Sequence, residues 1–210
     1  GMSSGFIGSQ GQDFQDEIIQ QRKLTDIKIN TLKQYLEDFD KKQLQADFRT
    51  KLNLVLKDLK KIGEVRSQVS NLEISLRNTL GYYTNLNNQF LNLIAETANL
   101  NNNGKISRTI NAYVSFLIAK EKAGLERAVL ANTFARKSFG PGMFEKLIKL
   151  ITKQEVYTNV FKRLASPEQL KRLETEEKSL AFSLVNKYRQ DAFSHDPELI
   201  AKHYPKDWFE

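Results

Sequence analysis

Cysteine is absent from the 210 residues, so the chain can form neither a disulfide framework nor a thiolate metal site. Proline occurs only 4 times and glycine 10 times, and this scarcity of breakers favours long helices over many short strands. Histidine is limited to His195 and His203, both near the C-terminus and without a clustered carboxylate pattern, so no metal and no cofactor are expected. The chain also contains no P-loop, no glycine-rich dinucleotide turn, no His-Glu-x-x-His and no nucleophile elbow, so no catalytic residue is assigned and an enzyme is not expected. No apolar run approaches the roughly 18–20 residues of a membrane span, and no signal peptide is visible. A full-length protein with these features would be soluble and cytoplasmic, whereas an excised fragment would say nothing of its parent. The opening Gly1-Met2 leaves both possibilities open.

What is present is a helical pattern with a basic balance. Lys and Arg number 32 against 25 Asp and Glu, a formal charge of +7. Such a balance suits nucleic acid, a membrane surface or a small anion. The cations are interleaved with acids, and the densest run, Lys57-Asp58-Leu59-Lys60-Lys61, is short. Nucleic-acid modules carry a tighter basic stripe with exposed aromatics, so no nucleic-acid partner is expected.

Apolar periodicity predicts six helices. The first keeps Phe14, Ile18, Thr25, Ile29, Leu32, Leu36 and Phe39 on one face, with Ser3-Ser4-Gly5 as its start or a frayed entry. The pattern resets around Asp40-Lys41-Lys42. A second helix carries Leu44 to Ile62 and meets Gly63. A third runs from Val65 to Leu93 and stops near Asn99-Leu100-Asn101-Asn102-Asn103-Gly104. The fourth spans about Ile106 to Lys137 and ends at Phe139-Gly140-Pro141-Gly142, and the fifth holds Phe144 to Leu164. The sixth has the clearest start, with Ser166 as cap, Pro167 at the first helical position and Gln169 closing a capping box. Its predicted buried face is Leu170, Leu173, Leu180, Leu184 and Tyr188. One more short turn is predicted at Asp196-Pro197-Glu198. The expected fold is therefore all-α: an elongated antiparallel up-and-down bundle over residues 1–210, either one domain throughout or two stacked four-helix bundles sharing long helices.

The stretch Lys120-Glu121-Lys122-Ala123-Gly124-Leu125-Glu126-Arg127-Ala128 departs from ordinary helix patterning. Alternating steps of four and three from Tyr113 reach Leu117, Lys120, Gly124, Arg127, Ala131 and Phe134, a single stripe with two cations at its centre. Burying a cation is costly unless something negative meets it, and an interior glycine costs about 1 kcal/mol relative to alanine. A bare position beside an arginine leaves room for a small partner. The same pattern also suits a seam edge, with the stems packed, the heads in water, and Glu121 and Glu126 as ordinary counter-charges.

This motif resembles the nitrate- and nitrite-sensing (NIT) domain of bacterial signalling proteins. The matching residues are Lys120, Glu121, Ala123, Gly124, Glu126, Arg127 and Ala128, followed by Phe134-Ala135. Weaker matches are Gln21-Arg22-Lys23-Leu24-Thr25-Asp26, Val65-Arg66 with Val69, Tyr82-Tyr83-Thr84, and the Trp-containing Pro205-Lys206-Asp207-Trp208-Phe209. Family members open their first helix with Glu-Arg-Gly-Ser, and the arginine joins a second one in gripping the anion. Here Gly1-Met2-Ser3-Ser4-Gly5-Phe6 resembles that segment without its Glu-Arg pair.

The resemblance implies a sensor for nitrate, nitrite or a similar small anion, with Arg127 as the ligand-binding arginine and Lys120, Gly124, Ser3 and Ser4 beside it. It further implies the extracytoplasmic (periplasmic) part of a homodimeric, membrane-anchored chemotaxis receptor, with a cytoplasmic regulator as the alternative. A guanidinium fork matches a planar oxyanion. Four heavy atoms at a ceiling of about 1.5 kcal/mol each bound the affinity near tens of micromolar. A sensor for an amino acid or carboxylate, and a ligand-free interaction bundle, are the competing readings.

Overall fold

The computed structural model describes residues 2–40, 44–100 and 102–209; the readings that touch Gly1, Lys41-Lys42 and Asn101 lie outside the described residues. Every element in it is a helix: α1 Met2–Gly8, α2 Gln15–Asp38, α3 Ala46–Leu59, α4 Ile62–Ser70, α5 Leu76–Thr97, α6 Gly104–Arg136, α7 Met143–Leu164, α8 Pro167–Glu177, α9 Leu180–Phe193, α10 Pro197–Ala201 and α11 Pro205–Phe209. No helix among the described residues is long and apolar enough to cross a membrane. The chain divides into two compact units, Met2–Glu96 and Thr97–Glu210. Their boundary falls in the last turn of α5, in keeping with a sequence that has no flexible linker.

In the first unit, α1 is a helix in its own right. The chain leaves it through Gln10 and Gly11, both at positive φ, and enters α2 through Phe14, also left-handed at φ 66°. Gly5 is needed where it stands, because a Cβ there would collide with the Phe14 ring. The face predicted for α2 is the inward one, with Ile18 and Leu36 buried. Ile18 packs with Val65 and Val69, flanked by Met2, Phe6, Tyr82 and Tyr83, while Val55, Leu59 and Leu86 form a neighbouring cluster.

Two predicted boundaries move. Gly63 does not stop a helix. The break comes earlier, at Lys60-Lys61, and Gly63 lies inside α4, where the helix continues at the modest cost glycine carries. The long third helix is two elements, because Leu72 takes φ 58° and the Glu73 N–H turns back to the Gln68 carbonyl, ending α4.

Between α3 and α5, the Tyr82 hydroxyl donates to the Asp58 carbonyl at 3.0 Å and Gln89 to the Asp58 carboxylate, which also accepts from Lys61. Those two hydrogen bonds hold the Asp58 carboxyl below its usual range. Burial, with Tyr83 and Asp58 nearby, pushes the Tyr82 phenol up to about 12. The folded state therefore keeps a proton that the unfolded chain loses from about pH 10. Stability from Tyr82 is complete below that pH and disappears as pH rises toward 12. Urea midpoints followed by circular dichroism should fall over this window, and Tyr82→Phe should flatten part of the fall.

In the second unit, α6 and α7 pair through the tight Phe139-Gly140-Pro141-Gly142 turn, with Gly142 at φ 69°. α6 starts at Asn103, whose side chain accepts from the Lys105 and Ile106 N–H groups, and ends at a left-handed Lys137. The Ser166 capping box forms as read from the sequence. The helix it opens is shorter than expected. A second cap, Ser179 accepting from the Phe182 N–H, starts α9 as a separate element. That break turns Leu180 and Leu184 outward, at 75% and 45% exposure, so neither belongs to the core face assigned to them. The core of this unit is Val129, Leu130, Phe134, Leu147, Leu150, Ala192, Ile200 and Trp208.

Candidate functional site

The rotation of α6 decides what its motif presents, and a buried carboxylate sets that rotation. Glu126 is only 2% exposed. Arg189 on α9 grips it bidentately, Nε to Oε1 at 2.6 Å and Nη2 to Oε2 at 2.7 Å. Gln154 on α7 donates to Oε2 at 2.5 Å and accepts from Arg189 Nη2 at 3.0 Å, which closes a ring of hydrogen bonds across three helices. Charge-assisted bidentate bonds of this kind are directional as well as strong. They index α6 against α7 and α9.

The inward seam of α6 therefore runs through Ala112, Ser115, Ala119, Lys122, Glu126, Val129 and Thr133, the first two and last three of these buried. The stripe predicted from Tyr113 to Phe134 lies about one residue away, roughly 100° around the helix. Of that stripe Phe134 is buried, but Tyr113, Lys120 and Arg127 are exposed. The expectation of a guanidinium inside an interhelical seam is thus corrected: the inward charge of the motif is Glu126, and Arg127 stands one step round on the exposed side. Small residues at 112, 115 and 119, spaced by three and four and in phase with Glu126, were the sequence signal for the true seam. A glutamate on a core face masked it.

Lys120, Gly124 and Arg127 still share one line of α6. A Cβ placed on Gly124 meets nothing within 4 Å, so the glycine is not required by packing within the chain. Gly124→Ala should therefore raise the melting temperature by about 2–4 °C, from roughly 1 kcal/mol of recovered helix propensity. If the open flank serves a ligand, the same variant should bind nitrate less well, and calorimetry on the two proteins checks both effects.

Behind Arg127 its own carbonyl accepts the Trp208 indole N–H at 2.9 Å. Trp208 sits edge-on to Phe134 and against Tyr188. His203 packs against the same two rings, its centroid 5.0 and 4.5 Å from theirs, with Nε2 2.8 Å from Asp191 Oδ2. The Trp-containing end of the chain is thus seated under the motif.

Ser3 and Ser4 belong to the other unit, on α1, both half-buried, and the Ser4 hydroxyl has no hydrogen-bond partner among the described residues. In that unit three of the weaker family-like segments converge. Arg22 donates to Ser70 Oγ at 2.8 Å and to the Arg66 carbonyl at 3.1 Å, and Arg66 pairs with Asp26 at 2.5 Å. Burial lowers the Arg22 pKa from its ordinary value, and the charge of Arg66 adds to that, with Tyr83 and Asp26 opposing. This cluster clips α2 to α4. Among the described residues no group of His, Asp and Glu is arranged to hold a metal.

Comparison with known proteins sets this geometry in context. The chain is 29% identical over 111 residues to the nitrate regulatory protein of Klebsiella oxytoca, a match covering 53% of this chain and 28% of that protein. The solved structure of the NasR transcription antiterminator superposes with a TM-score of 0.89 at 22% identity, over 99% of this chain and 56% of that one, which establishes a shared fold. The chain thus spans little more than half of one relative and less than a third of the other. The family of nitrate and nitrite sensing domains matches from residue 1 to residue 210, and the chain belongs to that family.

Proposed function

We propose that this chain is the input module of a longer signalling protein and that it senses nitrate or nitrite at the Arg127 face of α6. The observation that carries the reading is the placement of Arg127: exposed and presented by a rigidly indexed helix, with Gly124 leaving its flank open and Lys120 two turns away adding positive potential. A guanidinium offers parallel donors to two oxygens of a planar anion. At a water-exposed site such a pair is worth far less than it would be in a dry pocket. The expected dissociation constant for this chain is therefore nearer the millimolar range, about 4 kcal/mol, than the tens of micromolar allowed by the atom count.

For the attached output, the reading as the extracytoplasmic sensor of a membrane chemotaxis receptor is supported by the family resemblance of the Trp-containing C-terminal stretch. A transcriptional regulator inside the cell is favoured by the two relatives, one titled a nitrate regulatory protein and the other a transcription antiterminator. Fractionating cells that express the whole parent protein separates these: recovery with membranes favours the receptor, recovery in the soluble fraction the regulator. The sensing reading is tested by calorimetric titration of this chain with nitrate, nitrite, chloride and a panel of amino acids and carboxylates. Heat from the two nitrogen oxyanions beyond that from chloride supports it. Silence toward both, with heat from another solute, sinks it.

A further inference from the structure

The indole bond under the motif has a mechanical meaning. In an α-helix the carbonyl of residue 127 takes the N–H of residue 131. A carbonyl has two acceptor sites, and the Trp208 indole occupies the second, reaching across 81 residues of sequence. Trp208 is 9% exposed and packed against both Phe134 and Tyr188, so its N–H has little access to water. A buried donor that loses its acceptor is costly. The turn of α6 at Arg127 and the segment at Trp208 are therefore bound to move together or to separate at a penalty.

We infer that Trp208 is a positioning residue for Arg127, and that its indole N–H, bonded to the Arg127 carbonyl, couples the anion-facing turn of α6 to the C-terminal end of the chain. The inference rests on Arg127 being the anion-holding residue. An anion drawn against the guanidinium loads the same peptide unit whose carbonyl holds the indole. The segment clasped there, α10 and α11, is seated through Ile200, Trp208 and the His203–Asp191 contact, so a shift at residue 127 is delivered to the last residues rather than absorbed in a loop. A ligand needs only a difference in affinity between two such arrangements to bias them.

The chain contains one tryptophan, so a nitrogen-15 proton spectrum shows a single indole cross-peak. Potassium nitrate is titrated into the labelled protein, with potassium chloride at matched ionic strength as control, and calorimetry is run on the same material. The expected result is an indole peak that moves with nitrate and saturates along the calorimetric isotherm. Trp208→Phe, which keeps a ring and removes the donor, should weaken nitrate binding about five- to tenfold while the melting temperature changes by only a few degrees. It should also speed hydrogen exchange at the Ala131 amide, which shares the carbonyl.

A saturating isotherm with a stationary indole peak overturns the coupling and leaves the sensing reading intact. A flat calorimetric trace for the unsubstituted protein removes the sensing reading instead. In that case unchanged exchange at Ala131 in Trp208→Phe overturns the mechanical link as well, and faster exchange supports it. The titration itself needs no variant, so the link stays open to test if Trp208→Phe fails to fold.

Discussion

Glu126→Ala should destabilise the C-terminal unit by about 3–5 kcal/mol, the usual cost of breaking a buried ion pair from one side. Glu126 is 2% exposed and accepts three hydrogen bonds, two from Arg189 and one from Gln154. Its removal leaves the Arg189 guanidinium, 21% exposed as a side chain, with the Gln154 carbonyl oxygen as its remaining partner among the described residues. Urea unfolding followed by the fluorescence of Trp208, in the same unit, measures the loss. A cost below about 1 kcal/mol would show that the network relaxes or hydrates, and that it does not fix the rotation of α6.

The opposite deletion, Arg189→Met, strands the carboxylate instead. It leaves a buried carboxylate with Gln154 as its remaining donor among the described residues, so the variant should lose stability on the same scale as Glu126→Ala in the same urea measurement, by about 3–5 kcal/mol.

Where a helix end is written in local chemistry, the sequence states it. Ser166-Pro167-Glu168-Gln169 specifies a capping box through side chains that satisfy neighbouring backbone groups, and the structure forms it. The inward face of α2 was equally plain, because its period is uninterrupted from Ile18 to Leu36. Other helix breaks depend on subtler devices. Leu72 ends α4 in a left-handed conformation that leucine rarely adopts, and Ser179 caps α9 within a run that keeps helical periodicity on both sides. The motif stands out in the sequence, but its inward face lies about one residue from the stripe that apolar periodicity draws. Apolar periodicity reads a glutamate as surface, and here the glutamate is the core residue, paid for by an arginine 63 positions away. No pattern along the chain announces that partnership.

Arg127→Ala should reverse the balance of Glu126→Ala, leaving stability within about 1 kcal/mol of the unsubstituted protein while lowering nitrate affinity at least tenfold. Its side chain is exposed, and contacts of exposed cations are worth at most about that much. Arg127→Lys keeps the charge and loses the planar fork, so its affinity should fall between the two if bidentate geometry matters, and match the original if charge alone attracts the anion. Paired calorimetric and melting measurements on these variants decide the matter. Nitrate heat undiminished in Arg127→Ala would remove this face of α6 from consideration. The contrast is sharp because residues 126 and 127 are consecutive. On a helix they point about 100° apart, which puts one in the interhelical ring that fixes the scaffold and the other on the exposed side, where the proposed anion site lies. A ligand-free bundle has no reason to separate these two effects. A sensor does, since the helix must be held firmly by one residue for its neighbour to report on what arrives from solution.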